Sequence, residues 1–146
     1  MISEPAAADL IHYLHAATGL PIKENQAAVW ADYLNANAGD TMPRDLRDAA
    51  RLAITNWARD GRKYQIDVTH VAQAVKQARR ARWEAFEQAN PGVYPPEGLT
   101  VGQELEWIKT LMRVVKDGET DKTRAMRAAT RQIQQDTKPE QLTAPF

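Results

Sequence analysis

The sequence predicts an all-α protein, and three observations carry that prediction. Apolar residues recur at three- and four-residue spacing in six separate stretches. Each stretch is bounded by helix punctuation, with Ser, Thr, Asp or Pro ahead and, in most cases, Gly behind. No segment alternates polar and apolar residues for long enough to make a strand. Four stretches precede a Pro/Gly-rich segment and two follow it. The expected architecture is therefore a compact bundle of about four helices plus two C-terminal helices.

Ser3 is placed to cap the first helix, with Pro5 in its first turn. Leu10, Ile11, Leu14 and Ala17 follow at helical spacing until Gly19. Pro21 opens a second segment, where Ala27, Trp30, Tyr33 and Leu34 form a stripe that Gly39 ends. The third helix, Pro43 to Arg59, carries Leu46, Ala50, Ala53, Ile54 and Trp57 on one face. On its outer face Arg44, Asp48 and Arg51 are spaced for i,i+4 and i,i+3 pairing. Asp60-Gly61 closes it. The fourth helix, Asp67 to Gln88, starts at a cap supplied by Asp67 or Thr69 and sets Val68, Val71, Ala72 and Val75 on one side.

Asn90 to Leu99 (NPGVYPPEGL) holds three prolines and two glycines in ten residues and is expected to act as a linker over 90–99. Thr100 with Gln103 makes a capping box for the fifth helix, whose stripe is Val101, Leu105, Ile108, Met112 and Val115 up to Gly118. Thr120 is placed to cap the sixth, with Ala125, Met126, Ala129 and Ile133 on its apolar side. The domain plan is a bundle over 1–89, the linker, a helical pair over 100–135 and a flexible tail over 136–146.

Composition removes whole classes of function. The chain has 146 residues, about one domain, enough to bury a core without staples. With no cysteine there is no disulfide, zinc-thiolate site or thiol nucleophile. No stretch approaches the roughly 20 apolar residues that span a bilayer, and the first residues lack the pattern of a signal peptide. A cytoplasmic protein without membrane attachment is expected. Net charge is zero, yet residues 1–42 carry net −4 and residues 43–89 net +4. That asymmetry permits a basic face on one domain.

The fourth helix is where the pattern points outward. After Val75 it continues into Lys76, Arg79, Arg80, Arg82 and Trp83, although Arg79 and Arg82 lie on the continuation of the valine stripe. Guanidinium groups are not buried unpaired. Either the helix projects and offers these cations to phosphate or an acidic partner, with Trp83 available for stacking, or the Arg stems lie over apolar surface. In a third arrangement acidic residues of the N-terminal helices meet them. A helix-turn-helix is disfavoured, because Arg62 to Ile66 lengthens the connection and Val68, Thr69 and His70 offer little to base edges.

Asp9, His12 and His15 share a helix face but lack a fourth ligand, and His70 stands by itself on an outward face, so no metal or other cofactor is expected. No phosphate loop, H-E-x-x-H or G-x-S-x-G occurs, and the single serine is assigned to a cap, so no catalytic residue is assigned. A non-enzymatic binding protein is the reading. On the fifth helix Trp107, Leu111 and Val114 flank the stripe and widen its apolar arc. They either pack between two neighbours or form a partner or dimer surface. Arg124, Arg127 and Arg131 line a separate side of the sixth helix and are candidates for the same protein contact.

The order of features from about Ala27 to Trp83 resembles a small phage family, the loader-inhibitors of the replicative helicase. The matching residues are Val29-Trp30, the Ala-rich helix from Leu46 to Trp57, the polar turn, and the run from Ile66 through Val71, Val75 and Arg79 to Arg82. The resemblance implies a non-enzymatic DNA-replication accessory protein of a phage or prophage. Its helical N-terminal domain would precede a C-terminal part, here Glu97 to Phe146, that engages the hexameric helicase. The competing expectations are a DNA-binding regulator or packaging protein using the third and fourth helices, and a phage effector that sequesters another host protein.

Overall fold

A computed structural model describes the backbone of residues 1–142 and the side chains of residues 1–136. It is all-α, with no strand among the described residues. The helices are α1 (Glu4–Thr18), α2 (Gln26–Asn37), α3 (Pro43–Arg59), α4 (Val68–Ala89), α5 (Val101–Lys116) and α6 (Lys122–Leu142). They divide into two compact units, Met1–Arg79 and Arg80–Phe146.

In the first unit, the Ser3 hydroxyl accepts the Ala6 N–H at 3.2 Å, which starts α1 as its cap position requires. Gly19, at φ 75°, ends the helix by donating its N–H to the His15 carbonyl. Ile2 is tied to α2 by two reciprocal hydrogen bonds. Ile2 N–H donates to Asn35 Oδ1 at 2.7 Å, and Asn35 Nδ2 donates to the Ile2 carbonyl at 2.9 Å. α3 begins where the Asp45 carboxylate accepts the Met42 N–H at 2.7 Å. Leu10, Ile11 and Leu14 of α1, Trp30 and Leu34 of α2, Leu46, Ala49, Ala50 and Ala53 of α3, and Val71 and Val75 of α4 form one buried cluster. Removing a leucine from such a cluster costs about 2–5 kcal/mol.

The turn between α3 and α4 is held by its own side chains. The Trp57 indole donates to the Tyr64 carbonyl at 2.7 Å, and Arg62, at φ 57°, lies 5.3 Å over the Trp57 ring. Asp67 caps α4, its carboxylate accepting the N–H of Thr69 at 2.8 Å and the Thr69 hydroxyl. Partial burial pulls the Asp67 carboxyl upward, but those bonds and His70 outweigh it, and the group titrates below the usual carboxylate range. His70 corrects the expectation of an isolated outward ring. Its Nδ1 accepts the Asp67 N–H at 2.9 Å, and its ring stacks on Tyr64 at 4.6 Å.

The second unit begins inside α4, which displaces the expected boundary. Trp83 and Phe86 are stacked at 5.7 Å, and Phe86 shares a core with Trp107, Leu111 and Val115 of α5 and Ala125, Ala129 and Ile133 of α6. Val93 and Leu99, from the stretch expected to be a linker, pack against the same core. That stretch is a corner within the second unit, with Gly92 and Gly98 at φ 81° and 86°. The Thr100–Gln103 capping box forms as expected, at 3.2 and 2.9 Å. α6, in contrast, is capped by Asp121, whose carboxylate accepts the Arg124 N–H at 2.8 Å, one residue beyond Thr120. The helix continues to Leu142, past the expected start of the tail at 136. Residues 143–146 of that expected tail lie outside the described residues.

Candidate functional site

The cations of α4 part company. Lys76 and Arg80, one turn apart, are exposed, and Arg80 Nε lies 3.0 Å from Glu84 Oε1. Arg79 corrects the expectation of an external contact. It is only 6% exposed, and its Nη1 lies 3.0 Å from Oδ2 of Asp45, which is itself fully buried. Charge in the interior is tolerated when it is paired and hydrogen-bonded, and Asp45 supplies that partner from the first turn of α3. Arg82 is half-buried and donates from Nη1 to the Lys116 carbonyl at 2.7 Å, where α5 leaves carbonyls without intrahelical donors. Trp83 is half-buried and turned to Phe86. Taken unit by unit, Arg79 lies inside the first and Arg82 and Trp83 are half-buried in the second, while Lys76 of the first and Arg80 of the second are exposed.

On α5 the flank residues turn inward together with Val115 of the stripe. Trp107 and Leu111 are 1% and 3% exposed, and Val114 packs on the same core. The Trp107 indole donates to the Thr130 hydroxyl at 3.1 Å, a partner on α6 that satisfies its one polar atom. Ala125 and Ala129 on α6 are small and wholly buried, so the broad Trp107 face can approach α6 closely. These aromatic and aliphatic groups belong to the core and not to a partner surface. The surface lies on the other arc, where Val101 is 75%, Leu105 55% and Ile108 38% exposed, with Met112 half-buried. Tyr94, 72% exposed, stands at a cleft of about 360 Å³ that Trp107, Ile108 and Leu111 also line.

Arg124, Arg127 and Arg131 occupy the exposed side of α6, as expected, at i, i+3 and i+7. Arg124 is steadied by Glu119 at 2.8 Å and Asp121 at 3.9 Å. The interior of this helix, Ala125, Ala129 and Ile133, fixes the direction of the ridge, because residues three and four apart on a helix share a side. Sequence reasoning found the ridge and missed the Val101–Leu105–Ile108 face. The spacing of that face was visible, but identical spacing describes a core stripe.

Among the described residues, no group of three or more His, Asp or Glu is placed to hold a metal, and no helix is long and apolar enough to cross a membrane. What the geometry defines is an all-α protein of two helical units, the second presenting an apolar helix face and an arginine ridge. No protein-family model matches the chain, and no curated protein or solved structure matches it at a significant level.

Proposed function

We propose that the chain is a non-enzymatic accessory protein of phage or prophage DNA replication that binds the replicative helicase through its second unit. The contact runs through Arg124, Arg127 and Arg131 on α6 to an acidic surface of the helicase. The observation that carries this reading is the ridge itself, three exposed arginines at helical spacing on a helix anchored by Ala125, Ala129 and Ile133. The choice of partner comes from the resemblance of residues 27–83 to the helicase loader-inhibitors. Arg79, inside the first unit, plays no part in this contact.

Such a protein needs no reacting group. It works by binding one state of the helicase more tightly than another, and the difference in affinity shifts the population between them. Complementary charge at the rim of such a contact raises the association rate and favours the correct partner. The test is co-migration of the full chain with a purified hexameric replicative helicase in size-exclusion chromatography. The pair Arg127→Glu and Arg131→Glu should weaken the complex about tenfold or more and flatten its salt dependence. Separate migration, or equal binding by parent and variant, refutes the reading. Salt-dependent retention on duplex DNA without helicase binding would favour the DNA-binding alternative.

A further inference from the structure

The exposed face of α5 matches a second copy of itself. Val101, Leu105, Ile108 and Met112 succeed one another at four, three and four residues, the alternation of a coiled-coil seam. Val101, Leu105 and Ile108 are left open to solvent although their helix is part of a packed unit. Glu104 and Lys109, both exposed, lie on opposite edges of this seam and five residues apart. In a parallel, in-register helix pair those two edge positions meet across the interface. Glu104 of each copy then faces Lys109 of the other, twice. If one helix were reversed, Lys109 would lie opposite Gly102 and Glu104 opposite the buried Leu111, and neither charge would be matched.

We propose that the chain self-associates through α5, two copies packing in parallel with Leu105 against Leu105 and Ile108 against Ile108. α5 arrives preformed, capped by Thr100 and Gln103 and backed by the Trp107 core, so association does not have to order a helix. Lys109 reaches Glu106 at 3.5 Å within its own helix, but that pair is 72% and 57% exposed and yields readily to a cross-helix partner. The seam is short, since sixteen residues of helix extend only about 24 Å. The dimer is therefore concentration-dependent. It uses α5 and leaves the α6 arginine ridge exposed, so it stands independently of helicase binding.

Sedimentation equilibrium of the full chain from about 1 µM to about 500 µM tests this. The mass should rise from 16.4 kDa toward twice that value. Leu105→Arg should weaken dimerisation at least about tenfold without loss of helical circular dichroism. Glu104→Lys should weaken it, and adding Lys109→Glu to the same chain should restore it. Because the chain has no cysteine, Val101→Cys supplies a single thiol, which parallel packing brings to its own counterpart for oxidation to a disulfide-linked dimer. Arg127→Glu with Arg131→Glu should dimerise like the parent. A mass fixed at 16.4 kDa throughout, or a dimer indifferent to Leu105→Arg, overturns the proposal. A dimer that neither responds to the charge exchange nor cross-links at position 101 overturns the parallel arrangement.

Discussion

Neutralising Asp45 tests the interior of the first unit most directly. Asp45→Asn keeps the shape of the side chain and an oxygen for the Met42 N–H, while removing the charge that faces Arg79 at 3.0 Å. The side chains of Arg79 and Asp45 are 8% and 0% exposed, so water cannot take over the role of the carboxylate. Breaking a buried pair from one side costs about 3–5 kcal/mol. For a unit of this size that lowers the melting temperature by roughly 15 °C or more. Arg79→Met should cost a similar amount, but the double substitution should recover much of it, because two neutral groups carry no unmatched charge. Urea denaturation followed by circular dichroism, on all four members of the cycle, measures the coupling. Salt should change it little, since a buried pair is poorly screened. Arg80→Ala is the control, because its pair with Glu84 is 80% and 55% exposed and worth about 0.5 kcal/mol or less. If Asp45→Asn lies within about 1 kcal/mol of the parent, or if the single effects simply add, the account of Arg79 as an interior residue is refuted.

Two further outcomes are expected. Trp107→Ala should destabilise the second unit by about 3–5 kcal/mol, and amide hydrogen exchange should show α5 and α6 losing protection while α1 to α3 retain theirs. Uniform loss across all helices would count against two units. The cap of α4 should be sensitive to acid. Since the folded carboxyl of Asp67 titrates below its unfolded value of about 3.8, its contribution is complete above that value and is lost as pH falls through the lower folded value. Unfolding measured from about pH 6 to about pH 2 should lose this component in Asp67→Ala, and identical profiles for parent and variant would refute it.

Local chemistry was legible where the partner lies within a turn. Ser3, the Thr100–Gln103 box, Pro43 and Gly19 each mark a helix boundary that forms where their backbone chemistry puts it. Thr120 competed with Asp121 for one cap, and the carboxylate holds it. Non-local relations were not legible. Arg79 turns inward because of a carboxylate 34 residues earlier in the chain, and no periodicity along α4 announces it. On α5 both arcs are apolar, and the deciding fact is that small Ala125 and Ala129 on another helix accept the bulk of Trp107. The division inside α4 is equally silent, since helical signals run unbroken across it.

That one rod contributes to two interiors has a practical consequence. A fragment ending at the Pro/Gly corner would keep Trp83 and Phe86 but lose Trp107, Leu111 and Ile133, which complete their core. Its stripped aromatic rings would adhere to unrelated proteins, so such a deletion would report stickiness in place of lost recognition. Single substitutions in the intact polypeptide are the sound way to dissect this molecule.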